Sequence, residues 1–204
     1  GSNMDYKIVM DWVQDIVSGP GDKIFHNAPY DVGWLRAHGI RIKSGRIIDT
    51  MIAAALVDEN RFSYSLNALG FDLLGETKSE LELKQAADDW GINAKGELYK
   101  LPAKFVGAYA EQDASLTLKL WNYLKTEITK QSLTDIFNTE TELLPILIEM
   151  RTVSVRVNLS EAEKLKKEFV SKEDEILLKI KKEAGVDVDI FAARSIAKAF
   201  DKLK

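Results

Sequence analysis

Two short stretches of this sequence carry side chains that could bind metal ions and act on a phosphodiester. The first, residues 26–31 (His-Asn-Ala-Pro-Tyr-Asp), ends an apolar run. The second contains Tyr109 and Asp113, which share one face if the segment is helical. Mg²⁺ and Mn²⁺ prefer carboxylate oxygens, and two such ions can generate the attacking hydroxide and stabilise the leaving oxygen. Together the two stretches suggest a metal-dependent nuclease site.

Each candidate residue has a role in this hypothesis. Asp113 holds the water-activating ion, the Tyr109 hydroxyl orients the attacking water, and Asp31 holds or bridges to the second ion. Asn27 and Tyr30 contact the substrate strand. Either motif alone is weak, because Tyr-x-x-x-Asp on a helix is usually a half-buried ring plus a solvated acid, and Asn-Ala-Pro-Tyr-Asp is common turn chemistry. Their combination is more specific.

The other aromatic and titratable residues have simpler structural interpretations. His26 and His38 are expected to be a strand residue and a helix-end residue rather than metal ligands. The tryptophans have helical spacing and are expected in the core rather than on base-stacking surfaces; they are Trp12, Trp34, Trp90 and Trp121.

The segments that position these residues follow an α/β order. Apolar periodicity and Gly/Pro breaks predict, in sequence, a helix over 8–17, a strand over 23–27, a helix over 32–38, a strand over 46–50 and a helix over 51–57. Alternation of helices and strands is typical of an α/β domain.

From residue 63 onward the pattern is mainly helical. Helices are predicted over 65–69, 81–90, 103–130, 142–150, 160–184 and 191–204, with a strand over 153–157. Pro145 is expected in the first turn of its helix, and Ser160 with Glu163 matches a capping box.

Composition limits the function classes. The chain has 204 residues, 46% hydrophobic and 29% charged, and no apolar run approaches the roughly 20 residues of a membrane span. We therefore expect no membrane association, and the lack of cysteine and of a signal peptide favours the cytoplasm. A net charge of −4 argues against strong nonspecific binding of nucleic acid.

Residues 1–3, ahead of Met4, are typical of a cloning remnant.

The paired motifs resemble the proofreading 3′–5′ exonuclease domain of family A DNA polymerases, the bacterial DNA polymerase I type, and those of phages especially. Its DEDDy members carry an Asn-x-x-x-Asp motif, which Asn27 and Asp31 match, and a Tyr-x-x-x-Asp motif, which Tyr109 and Asp113 match. The pair at 49–50, Asp-Thr, also fits the family pattern.

The resemblance implies a ribonuclease H-like α/β fold, predominantly helical and here incomplete, with two Mg²⁺ or Mn²⁺ ions. It implies single-stranded DNA or a primer-template 3′ end as substrate, in a bacterial or phage-infected cell. Asp31 and Asp113 are the expected metal ligands, Tyr109 joins them in catalysis, and Asn27 and Tyr30 bind substrate.

One family feature is missing from the sequence. The family places an Asp-x-Glu pair on a first strand, but Asp5, Asp11 and Asp15 are assigned to the opening helix and none has an acid two residues later. We therefore expect an incomplete metal site and poor or no digestion of DNA. The missing strands would also expose a sheet edge and apolar helix faces that a second copy or another chain could cover.

The resemblance also predicts a domain division. Residues 4–135 are assigned to an exonuclease-like domain that lacks its first strands, and residues 136–204 to the start of a polymerase thumb-like helical region. No palm or fingers sequence is present, so polymerisation by this chain is not expected. Two alternatives remain: a degenerate, non-catalytic exonuclease fold kept as a scaffold or interaction module, and a DEDDy exoribonuclease that prefers RNA ends.

Overall fold

The chain divides into two compact units, Gly1–Val153 and Ser154–Lys204. The computed structural model describes residues 4–76, 81–93 and 96–202. The division falls later than the predicted boundary at 135/136, because the helix Thr134–Val153 spans that point and packs against elements of the first unit.

The first unit has the predicted helix–strand–helix–strand–helix order, followed by further helices. Its elements are α1 (Tyr6–Ser18), β1 (Lys23–Phe25), α2 (Ala28–Ala37), β2 (Ile47–Asp49), α3 (Thr50–Val57), α4 (Leu66–Leu69), α5 (Leu81–Asp89), α6 (Ala103–Lys130) and α7 (Thr134–Val153). A π-helical turn continues α4, and a 3₁₀ turn precedes α6. Helix α2 begins earlier than predicted, since Pro29 is accommodated in its first turn.

The two strands form a small parallel sheet. Lys23 lies opposite Ile47 and Phe25 opposite Asp49. Helix α2 makes the crossover between the strands, so both carboxyl ends lie at the same edge of the sheet. Among the residues that the structure describes, each strand pairs only with the other. The observed architecture is therefore mostly helical around a small parallel sheet.

Helix α6 runs through the main core of this unit. Its fully buried residues, Leu120 and Leu124, pack with Ile48 of β2 and with small side chains of α3. A second cluster joins α7 to the sheet region and contains Ala28, Val32, Ile47, Leu144 and Ile148. These contacts explain why α7 belongs to the first unit.

Helix α7 differs from the prediction at both ends. It begins at Thr134 rather than near residue 142, so Pro145 lies inside the helix and not in its first turn. The predicted strand over 153–157 is wrong: Val153 ends α7, Ser154 has a left-handed φ of 66°, and residues 154–158, all described, are irregular and exposed. Alternating valines alone do not make a strand, because a strand needs a partner.

The second unit consists of α8 (Leu159–Ala184) and α9 (Ala193–Lys202), which contact each other. The predicted capping box is wrong, because Asn158 is the N-cap and its Oδ1 accepts from the Glu161 N–H at 3.2 Å. Ser160 lies inside the helix and donates to the same oxygen at 2.7 Å. The predicted end at residue 184 is confirmed, with Gly185 in the left-handed conformation.

The tryptophans do not all lie in the core. Trp121 is buried and stacks on Phe137 at 5.3 Å between ring centroids. Trp12, Trp34 and Trp90 are 62%, 57% and 52% exposed, so the prediction that they are core residues is wrong. Helical spacing identifies a shared face but not whether another element covers it. In the described part of the chain, no helix combines the length and apolarity needed to cross a membrane.

Candidate functional site

A buried carboxylate at the end of β2 fixes the loop that carries the first motif. Asp49 is 4% exposed, and its Oδ1 accepts from the backbone N–H of Asn27 at 3.0 Å and of Met51 at 2.9 Å. Its Oδ2 accepts from the Ala28 N–H at 2.8 Å. One side chain therefore caps α3 and also holds the start of α2, and hydrogen bonds to a charged acceptor are strong.

The next residue extends this connection between the strand ends. The Thr50 hydroxyl donates to the Phe25 carbonyl at 3.0 Å and lies 2.9 Å from His26 Nδ1. Both bonds form when His26 Nδ1 carries the hydrogen, since the hydroxyl has only one to donate. His26 follows β1 and is not part of it, so the prediction that it is a strand residue is wrong, although this contact gives it a structural role. His38 is the C-cap of α2, and its Nδ1 lies 2.7 Å from the Tyr6 hydroxyl.

Asn27 adopts a backbone conformation that few residues accept. It is the N-cap of α2 with φ 67° and ψ 54°, and its exposed side chain makes no capping hydrogen bond. Asn enters this left-handed region more easily than most residues. The conformation turns the chain sharply from β1 into α2 and leaves the Asn27 amide at the surface, where the sequence analysis expects a substrate contact.

Tyr30 and Asp31 lie in the first turn of α2 and reach solvent. Partial desolvation by the surrounding protein raises the pKa of Asp31 above its usual value, and the neighbouring Asp49 carboxylate contributes to the rise. A hydrogen bond from the backbone opposes this effect. The structure thus brings Asp31 close to a second acid that the sequence analysis had not included in the site.

The second motif lies on α6 as predicted. Tyr109 and Asp113 are half-buried and four residues apart, so they share a helical face. The Tyr109 ring also packs against the cluster of Leu83, Ala86 and Leu101. The phenol therefore has a packing role in addition to its predicted catalytic one.

The residues present do not amount to a complete two-ion metal site. Asp31 and Asp113 offer the hard oxygen ligands that Mg²⁺ and Mn²⁺ prefer, but the Asp49 oxygens are already committed to backbone amides. Among the described residues, no three His, Asp or Glu side chains converge closely enough to hold a metal ion. The sequence contains no Asp-x-Glu pair to add ligands.

A family model described as 3′–5′ exonuclease matches residues 2–129, more than half of the chain. The chain belongs to this family. The predicted resemblance to a polymerase exonuclease domain is thereby confirmed. The match includes both motifs and the Asp49 connection, so the site described above lies within the 3′–5′ exonuclease domain.

Relatives of the chain are DNA polymerases of phages and bacteria. It is 34% identical over 187 residues to a DNA-directed DNA polymerase of Pseudomonas phage M6, covering 90% of this chain and 28% of that protein. It is 28% identical to the DNA polymerase DpoZ of Salmonella phage PMBT28, covering 95% and 32%. It is 29% identical to DNA polymerase I of Treponema pallidum (strain Nichols), covering 72% and 14%. The chain spans less than a third of the length of these relatives.

Two features of the exonuclease domain were missed by the sequence analysis. Asp49 fits the family pattern, but its connection to Asn27 and Ala28 was not foreseen. The available signal was an acid between a strand and a helix, which is an N-cap position. The exposed position of Trp34 beside the first motif was also missed.

Proposed function

We propose that this chain is the exonuclease part of a longer phage-type DNA polymerase, with an incomplete ribonuclease H-like fold that acts on DNA 3′ ends. The observation that carries the proposal is the fixed presentation of Asn27 and Asp31 at the carboxyl edge of the parallel sheet, through Asp49. The family match supports the reaction class, and the relatives' names support the polymerase.

In this proposal Asp31 and Asp113 contribute carboxylate ligands to a Mg²⁺ or Mn²⁺ centre, which would supply the attacking hydroxide and stabilise the leaving oxygen. The Tyr109 hydroxyl orients the attacking water. Asn27 and Tyr30 contact the terminal nucleotides from the start of α2. Because the sequence has no Asp-x-Glu pair, we propose that this chain alone hydrolyses DNA slowly or not at all.

Two further assignments belong to the proposal. Residues 136–204 contain the start of a thumb-like region, supported by the extent of the phage relatives' similarity beyond residue 129. A second copy or another chain could add a strand to the sheet, since among the described residues each strand has one partner.

The proposal is tested by digestion of a 5′-labelled single-stranded DNA in Mn²⁺. We expect slow shortening from the 3′ end that Asp31→Ala and Asp113→Ala abolish. Asp88→Ala, which removes an exposed acid from α5, is the matched control and should leave the rate unchanged. Cleavage that neither site variant reduces would contradict the proposed roles, as would a rapid rate in the unmodified chain. Faster loss of a matched RNA would favour the exoribonuclease alternative.

Where no hydrolysis is detected, Mn²⁺ binding measured by water proton relaxation provides a second test. Asp31→Ala and Asp113→Ala should each weaken binding, and Asp88→Ala should not. Equal binding by all of the variants would contradict the proposed ligands. Circular dichroism of each variant confirms that the comparison is made between folded proteins.

A further inference from the structure

The exposed face of α2 carries a continuous row of aromatic rings. Tyr30, Trp34 and His38 are spaced four residues apart and therefore lie on one face. The Tyr30 and Trp34 ring centroids are 6.4 Å apart, and Trp34 stacks on His38 at 6.0 Å with 20° between the planes. Tyr6 of α1 extends the row through its hydroxyl contact with His38. We call these four residues the aromatic row.

Large exposed aromatic surfaces need an explanation, because soluble proteins rarely leave contiguous ones uncovered. Tyr6, Tyr30 and Trp34 are each more than half exposed. A groove of about 560 Å³ runs beside the row, between α2 and the end of α7. Gly33 lines it, and a Cβ added to Gly33 would meet no atom within 4 Å, so the groove is open at this point.

Arginines give the same groove a positive character. Arg36, Arg41 and Arg151 all line it. Arg36 pairs with Glu149 at 2.6 Å, but Arg41 and Arg151 donate to backbone carbonyls, at 3.0 Å to Arg36 O and 3.4 Å to Pro29 O. Carbonyl oxygens carry no full charge, so the two guanidinium charges are available to an anion.

We propose that the aromatic row and this groove hold a single-stranded nucleic acid by base stacking and phosphate contacts, next to the nucleotide at Asp31. The inference rests on the proposed exonuclease function. Aromatic rings stack on any base, and guanidinium groups bind phosphates. The surface is continuous with the candidate site, since Tyr30 belongs to both. An apolar peptide would leave the charges of Arg41 and Arg151 without an anionic partner, which favours a nucleic acid.

The main test measures the anisotropy of a fluorescein-labelled oligothymidylate in EDTA at low salt, so that binding is separated from hydrolysis. Trp34→Ala should weaken binding about 5- to 100-fold, as expected for the loss of one stacking ring. Trp90→Ala is the matched control, because Trp90 is similarly exposed and lies outside the groove. Equal affinities of the two variants would overturn the inference.

Two further variants test the phosphate contacts and the groove itself. Arg151→Gln should reduce the slope of log affinity against log salt concentration by about one. Arg156→Gln, in the irregular segment after α7, should leave that slope unchanged. Gly33→Leu fills open space on a helix, so folding should be retained while binding falls about as far as with Trp34→Ala. If Gly33→Leu binds the oligonucleotide as tightly as the unmodified chain, the groove is not the binding site and the inference is overturned.

The results separate this inference from the proposed function. If Asp113→Ala abolishes hydrolysis but Trp34→Ala leaves binding unchanged, the groove inference fails while the exonuclease proposal stands. If Trp34 and Arg151 determine binding but no variant affects hydrolysis, the groove inference stands and the exonuclease roles fail. Sedimentation velocity tests the alternative that the aromatic row is a contact between copies of the chain. Self-association that Trp34→Ala abolishes, with oligonucleotide binding unchanged, would support that alternative and overturn the inference.

Discussion

The first turn of α2 and the middle of α6 each carry an acid of the candidate site, but different forces position them. The position of Asp31 depends on the start of α2, where the Asn27 and Ala28 N–H groups donate to Asp49, a residue distant in sequence. The position of Asp113 depends on its place along α6 and on the packing of the buried α6 residues that follow it, among them Leu120. A single polar substitution should therefore disturb the first acid locally, whereas only a loss of packing should disturb the second.

Removal of packing on α6 should have the largest effect on stability. Leu120 is fully buried in the main core, so Leu120→Ala should lower the free energy of unfolding by about 3 kcal/mol. Leu118→Ala is the matched control, because Leu118 is 51% exposed, and should change it by less than about 0.5 kcal/mol. Urea unfolding measures both; equal losses would mean that the buried face of α6 is assigned wrongly.

Removal of the Asp49 carboxylate should disturb the other region. Asp49→Ala takes an acceptor from three backbone amides and should cost about 2–3 kcal/mol, while Asp49→Asn, which keeps one oxygen, should cost less. Amide hydrogen exchange should accelerate most at Asn27, Ala28 and Met51. Equal acceleration at Asp113 would contradict the difference between the two regions.

A glycine next to the sheet tests how closely the segments before the two strands approach. Gly45 has φ +75°, and a Cβ there would lie 2.1 Å from the Gly21 carbonyl oxygen. Gly45→Ala should therefore cost about 2 kcal/mol through strain and displacement of the backbone. Gly39→Ala, at φ +81° with no atom within 4 Å, should cost only about 1 kcal/mol. Thermal unfolding that ranks Gly39→Ala as the more harmful change would refute this packing.

The smallest effect concerns an ion pair before the strands. Hydrogen bonds from the Arg46 side chain and backbone lower the pKa of Asp22. Because the pKa of Asp22 is lower in the folded than in the unfolded protein, the ion pair stabilises the fold at pH values above the unfolded-state pKa of about 4. This stabilisation is lost as the pH falls through the folded-state pKa. Because the pair is partly exposed, Asp22→Asn should cost only about 0.5 kcal/mol at pH 7. The difference from the unmodified chain should narrow towards pH 3, and a constant difference would contradict the assignment.

Local patterns in the sequence predicted most of the first unit. The order of its first five elements and the extent of α6 are confirmed, because apolar periodicity and Gly/Pro breaks determine helices and strands locally. The start of α7 was missed because Pro145 was taken as a first-turn residue. The actual boundary follows Ser132, whose φ of 60° the sequence does not reveal.

Features that depend on distant contacts could not be predicted in the same way. The spacing of Tyr109 and Asp113 gave their shared helical face correctly, since that is a property of a single helix. The hydrogen bonds from the Asn27 and Ala28 amides to Asp49 require the parallel register of two strands. The exposure of Trp34 depends on what lies beside α2, which the spacing of residues along α2 cannot report.

Pro145 interrupts the hydrogen-bond pattern of α7. Proline has no N–H, so the Thr141 carbonyl lacks its usual partner in the helix. Helices commonly bend at such positions. The part of α7 beyond Pro145 carries Ile148 and Arg151, which form one wall of the groove beside the aromatic row. A bend at Pro145 would therefore change the separation of α2 and the end of α7, and with it the width of the groove.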